Sequence, residues 1–188
     1  MSPRAWQILS AVVLSTCCAA SPSALAGAEE DHALAAFEGA CLDNLSDPTR
    51  AAQLATAGGL IEVPEPQRSA LMDGKPGRVW FSNASGARQF LKLADNGACS
   101  ISAPYADDRT TLELFKKHSR NRLVKTENFG SEVQSIFVVT HPDPRGGADG
   151  HAIVMVQTSA LQTSFGVSLT SLPESVARAG GISEQKWP

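Results

Sequence analysis

The chain has 188 residues, of which 43% are apolar and 19% charged, and its formal net charge is −3 at neutral pH. That balance excludes an intrinsically disordered chain and gives no footing for nucleic acid as a partner. The length is that of one domain able to bury roughly two-thirds of its unfolded surface, so no metal is needed to hold it together.

The first element is an address. Arg4 is followed by a largely apolar, uncharged run from Ala5 to Ala20, then by Ser21-Pro22-Ser23 and the small-x-small triplet Ala24-Leu25-Ala26. This pattern predicts a secretory signal peptide over residues 1–26, removed before Gly27. A single globular α+β domain is expected over 27–188, with a loose C-terminal tail. Leu14-Ser15-Thr16-Cys17 resembles a bacterial lipobox, but Thr16 is bulkier than the Gly, Ala or Ser such sites favour. A lipid anchor at Cys17 is therefore not expected. No later apolar segment reaches spanning length, so the mature chain is expected without a transmembrane anchor, in the periplasm or the external medium.

Two of the four cysteines, Cys17 and Cys18, fall in the signal. Cys41 and Cys99 remain, and an oxidising destination allows them one pairing.

In the mature region Ala33 to Leu45 reads as a helix, because Leu34, Phe37, Cys41 and Leu45 make one apolar stripe. Asp31 is its expected N-cap, with Glu29 and Glu30 complementing the dipole. A second helix should start at Ser46 or Asp47 with Pro48 in its first turn, and stop at Gly58-Gly59. From Glu62 to Gly77, Pro64, Pro66, Gly74 and Pro76 predict loop with one turn near Arg68 to Met72. Strands are expected over Arg78–Asn83, Arg88–Ala94 and Ala98–Ser102. Trp80 and Phe81 cannot both face one core, so one of them should lie on the outer face. Around Asp95-Asn96-Gly97, a three-residue loop with Gly97 in the left-handed region pairs Leu93 with Cys99 and Leu91 with Ile101. That register collects the apolar side chains on one face and points Cys99 towards the stripe carrying Cys41. Asp107-Asp108 should cap a long helix from Arg109 to Leu123. Strands over Val133–His141, His151–Thr158 and Ser164–Ser171 follow, then a short helical turn after Pro173.

The expected fold is therefore α+β: an N-terminal helical hairpin, an antiparallel sheet of five or six strands, and one long helix packed on it. In outline this order resembles profilin-like and PAS-like layouts, a likeness that implies no function. Phe37-Glu38-Gly39-Ala40-Cys41, with Trp80 and Cys99-Ser100-Ile101 further on, resembles small exported proteobacterial proteins of unknown activity. The resemblance implies export and no chemistry.

Established catalytic signatures are missing: there is no G-x-S-x-G, phosphate loop, H-E-x-x-H, dinucleotide fingerprint or EF-hand loop in the chain. Two clusters remain as candidates. His141, Asp143, Asp149 and His151 bring imidazoles and carboxylates, both suitable zinc ligands, into a Gly- and Pro-rich stretch. Their spacing fits no metal motif, and prolines and glycines suit a plain hairpin loop, so no metal and no cofactor is expected. Lys116, Lys117, Arg120 and Arg122, with Lys125, make a basic helix end that could hold an anionic partner, although the same residues match a helix dipole. The overall expectation is an exported non-catalytic protein that binds an envelope protein or a small ligand. The alternative is a small hydrolase-like enzyme with a site near residues 141–151 that draws on His118, His141, His151 and Asp149.

Overall fold

Eight strands form one antiparallel sheet in the computed structural model, which describes residues 28–45, 47–83, 87–117, 121–141, 150–159 and 166–179. The elements are α1 (Ala28–Phe37), a π-helical turn (Glu38–Leu42), α2 (Pro48–Ala57), β1 (Ile61–Glu62), α3 (Gln67–Leu71), β2 (Gly77–Ser82), β3 (Gln89–Ala94) and β4 (Cys99–Ala103). After them come α4 (Asp108–Lys117), β5 (Asn121–Asn128), β6 (Glu132–His141), β7 (Gly150–Ser159), β8 (Val167–Leu172) and α5 (Glu174–Ala179). The spatial order β1-β2-β3-β4-β8-β7-β6-β5 makes two four-stranded meanders that meet where β4 pairs with β8. α4 carries the chain from that central seam to the far edge.

This corrects the expected fold on three points while leaving its α+β class. The described residues form no helical hairpin: α1 lies mainly on β4 and α4, whereas α2 lies mainly on the π-turn and β3. There is no long helix, because α4 ends at Lys117 and the residues from Asn121 onward form a strand. The sheet has eight strands rather than five or six, through the addition of β1 and β5, and the profilin-like or PAS-like outline goes with the smaller sheet. β5 escaped the sequence reading because it is an edge strand. It is held by backbone pairing to β6, with a bulge between Leu123 and Lys125, and its mostly exposed face carries Arg122, Lys125 and Glu127. Charges and a bulge are how edge strands resist further pairing, and they also look like the polar face of a helix.

Local chemistry accounts for the rest. The Asp47 carboxylate accepts the Arg50 N–H at 2.9 Å and Pro48 opens α2, so the helix starts where the side-chain cap permits. In the β3–β4 hairpin Leu93 faces Cys99 and Leu91 faces Ile101, with Gly97 at φ 89°. α1 begins earlier than Asp31 and passes at Phe37 into the π-turn, where the Asp43 N–H reaches back to the Glu38 carbonyl. The Asn44 amide closes that wide turn by donating to the Gly39 carbonyl at 2.8 Å.

The core lies between the sheet and α1, the π-turn, α2 and α4. Trp80, Leu91, Ile101, Phe137, Val154, Val156 and Leu169 contribute from the strands, and Leu34, Phe37, Cys41 and Phe115 from the helices. Phe115 stands edge-on to Phe37 at 6.4 Å and to Phe137 at 5.0 Å, linking α1, α4 and β6. Cys41 and Cys99 form a disulfide with Cα atoms 5.4 Å apart, joining the π-turn to β4. The pairing is what an oxidising compartment allows. On the opposite face Phe81 meets Phe90 at 5.3 Å, and Ala177 of α5 packs on Ile136 and Ile153. Trp80 is thus the inward member of the aromatic pair and Phe81 the outward one.

The start of α4 is tied to α1 by a carboxylate. Glu30, almost fully buried, accepts the backbone N–H of Asp107 at 2.6 Å, so it serves the positive end of a helix other than its own. Asp107 accepts the Thr110 N–H at 2.6 Å, and hydrogen bonds from Thr110 hold its carboxyl below the ordinary aspartate range. Asp107→Ala should therefore cost about 1 kcal/mol at pH 7. Because the folded-state pKa is depressed, that contribution is present above the unfolded value near 3.8 and is lost as pH falls through the folded one. Urea unfolding at pH 7 and at pH 3 should show the two proteins converging at the acid end.

Candidate functional site

α2 sits lightly on the sheet. Its inward side is Ala51, Ala52 and Ala55, and alanines are too short to fill the space between a helix axis and the strands below. A cavity opens on each side as a result. The first, about 670 Å³, is lined by Thr49, Ala52, Gln53, Arg78, Leu93 and Asp95 among others. Its one cation is already matched: the Arg78 guanidinium donates to both Glu62 carboxylate oxygens, at 2.9 and 2.8 Å, and lies 4.5 Å from the centre of the Trp80 ring. The same guanidinium hydrogen bond holds the Glu62 carboxyl below its ordinary pKa. A pair closed on itself offers little to an anion, and this groove is a wide, shallow one.

The second cavity is smaller, about 270 Å³, and differently built. Ala36, Gly39 and Ala40 come from the end of α1 and the π-turn, Leu54 and Ala55 from α2, and Leu60 from the segment after it. Ser82, Gln89, Leu91 and Ile101 rise from β2, β3 and β4. Among the described residues no charged one lines it. Gln89 faces Ser82 across the β2–β3 ladder and is only 7% exposed. Its amide forms no hydrogen bond among the described residues, whereas Glu30, Asn44, Ser102, Thr111, Ser135, Thr170 and Ser171, the other buried polar side chains, each have a partner. Leu54 stands at the mouth, 46% exposed despite its size. An orphaned amide in an apolar recess is costly unless something completes it.

That cost is measurable. Gln89→Leu keeps the volume and removes the unpaired group, so stability in urea should rise by about 1 kcal/mol. A loss of similar size would mean that the amide has a partner.

The candidates read from the sequence fall elsewhere. His141 and His151 are at the paired ends of β6 and β7, where Thr140 faces His151 and His141 faces Gly150. Their side chains, and all of Asp143 and Asp149, lie outside the described residues. The basic cluster is divided: Lys116 and Lys117 end α4, with Lys116 paired to Glu113 at 3.0 Å, while Arg122 belongs to β5. Arg120 and His118 lie outside the described residues. Among the described residues no group of three or more His, Cys, Asp and Glu could hold a metal, and no helix is long and apolar enough to cross a membrane. Gln89 itself was legible: it occupies the inward phase of the alternation Gln89, Leu91, Leu93, where a strand residue should be apolar. Comparison with protein-family models, with curated proteins and with solved structures finds no match.

Proposed function

We propose that the chain is an exported, non-catalytic binding protein of the periplasm or external medium, and that the cavity under α2 is its ligand site. The observation that carries this reading is the Gln89 amide, buried and, among the described residues, without a hydrogen-bond partner, in a recess lined by none of their charged groups. Sites for small molecules are concave and mostly apolar, with a few polar groups that fix orientation. The disulfide supports export, as does the resemblance to small exported proteobacterial proteins. The architecture suits uptake without large rearrangement: the walls are backbone-rigid strands and a π-turn clamped by the Cys41–Cys99 bond, and the roof is a helix held by three alanines.

The test is a fragment screen by ligand-observed NMR on the mature protein and on Ala55→Leu, which places a larger side chain in the recess. Binders should appear with the first protein and vanish with the second, whose cooperative melting shows that it folds. Absence of any binder, or binding untouched by Ala55→Leu, would overturn the reading.

A further inference from the structure

Resting on that reading, we infer that the ligand is a short, uncharged amphiphile: an apolar body of about nine non-hydrogen atoms or fewer, carrying one head group that both donates and accepts a hydrogen bond. Size sets the first limit. A recess of about 270 Å³ holds roughly nine water-sized volumes at about 30 Å³ each, too few to enclose a long acyl chain, an oligosaccharide or a peptide, which would leave most of its length outside the mouth at Leu54. Charge sets the second. The ten lining residues include no Lys, Arg, His, Asp or Glu, and a carboxylate or ammonium buried there would lose its hydration with no opposite charge and little beyond the neutral Gln89 amide to replace it. The nearby Arg78 cannot serve, since its guanidinium lines the other groove and is held by Glu62. The third limit comes from the amide, whose carbonyl accepts and whose NH₂ donates. A primary amide meets both in one planar pair, and an alcohol meets one at a time. An alkyl amide is therefore the best fit, with an alcohol next and a carboxylate last.

Isothermal titration of the mature protein with hexanamide, hexanoate and toluene at pH 7.5 separates these limits, with Gln89→Leu and Ala55→Leu as variants. Hexanamide should bind at least tenfold more tightly than hexanoate. In Gln89→Leu the hexanamide affinity should fall about tenfold, the size of a buried polar mismatch, while toluene should bind as well as before or better. If hexanoate matches hexanamide, or Gln89→Leu leaves hexanamide unchanged while Ala55→Leu abolishes it, the ligand class is wrong and the cavity remains a binding site. If no probe binds, or Ala55→Leu leaves binding unaltered, both the class and the binding function fall.

Discussion

Replacing Cys41 and Cys99 together by alanine should lower the stability of the mature protein by about 4 kcal/mol. The two residues are 58 positions apart, and closing a loop of that length in the unfolded chain accounts for a loss of this size in the chain-entropy view. For a domain of this length each kcal/mol moves the melting temperature by about 2–4 °C, so the midpoint should drop on the order of 10 °C. Both cysteines are buried, and each substitution deletes a single sulfur atom, so packing adds little to the effect. Calorimetry with and without reductant checks it: reductant should shift the parent protein by the same amount and leave the double variant unchanged. A shift below about 1 kcal/mol would show that the π-turn is held to β4 by packing alone. Since the π-turn supplies Gly39 and Ala40 to the α2 cavity, ligand affinity should fall in the same variant.

What could be read beforehand follows the reach of the interactions involved. The start of α2 depends on Asp47, three residues from the Arg50 amide it caps, and on Pro48 in the first turn, and so it is written in adjacent letters. The β3–β4 register follows from one glycine and the alternation of four apolar residues across a short loop. Pairing of Cys41 with Cys99 followed from an oxidising destination that leaves them one partner each, and the inward phase of a helix stripe and of a strand agreed with it. β5 is different, since its residues find their state through β6, and nothing in Asn121–Asn128 itself outweighs the helical pattern of Leu112, Phe115 and Leu123 running into it. The two-residue strand β1 exists because Ile61 and Glu62 lie against Phe81 and Trp80, which is likewise invisible locally. The π-turn keeps the stripe that suggested one continuous helix, because Cys41 and Leu42 stay buried through the widened turn. The cavity under α2 needed the placement of the helix: three alanines can signal close packing as easily as a gap, and only the strands beneath decide which. Gln89 was the one letter that pointed to it.

Phe115→Ala should cost about 3–5 kcal/mol, the range for removing a buried phenylalanine from a core. Phe115 is 3% exposed, and with Thr111 it makes up the fully buried side of α4. Its ring meets Phe37 at 65° and Phe137 at 78°, edge-to-face arrangements that add to the loss of buried area. The position matters beyond its own contacts. α4 is the crossover between the β1–β4 meander and the β5–β8 meander, and Phe115 is the side chain that touches α1 on one side and β6 on the other. Phe37→Leu and Phe115→Leu, combined in a double-mutant cycle, should show a coupling of about 0.5–1.5 kcal/mol in the ring contact itself. Urea unfolding of the four proteins gives both numbers, with Phe115→Ala melting well below the parent. A cost under about 2 kcal/mol for Phe115→Ala would mean that α4 is held to the sheet by its capped start, through Glu30 and Asp107, rather than by the three rings.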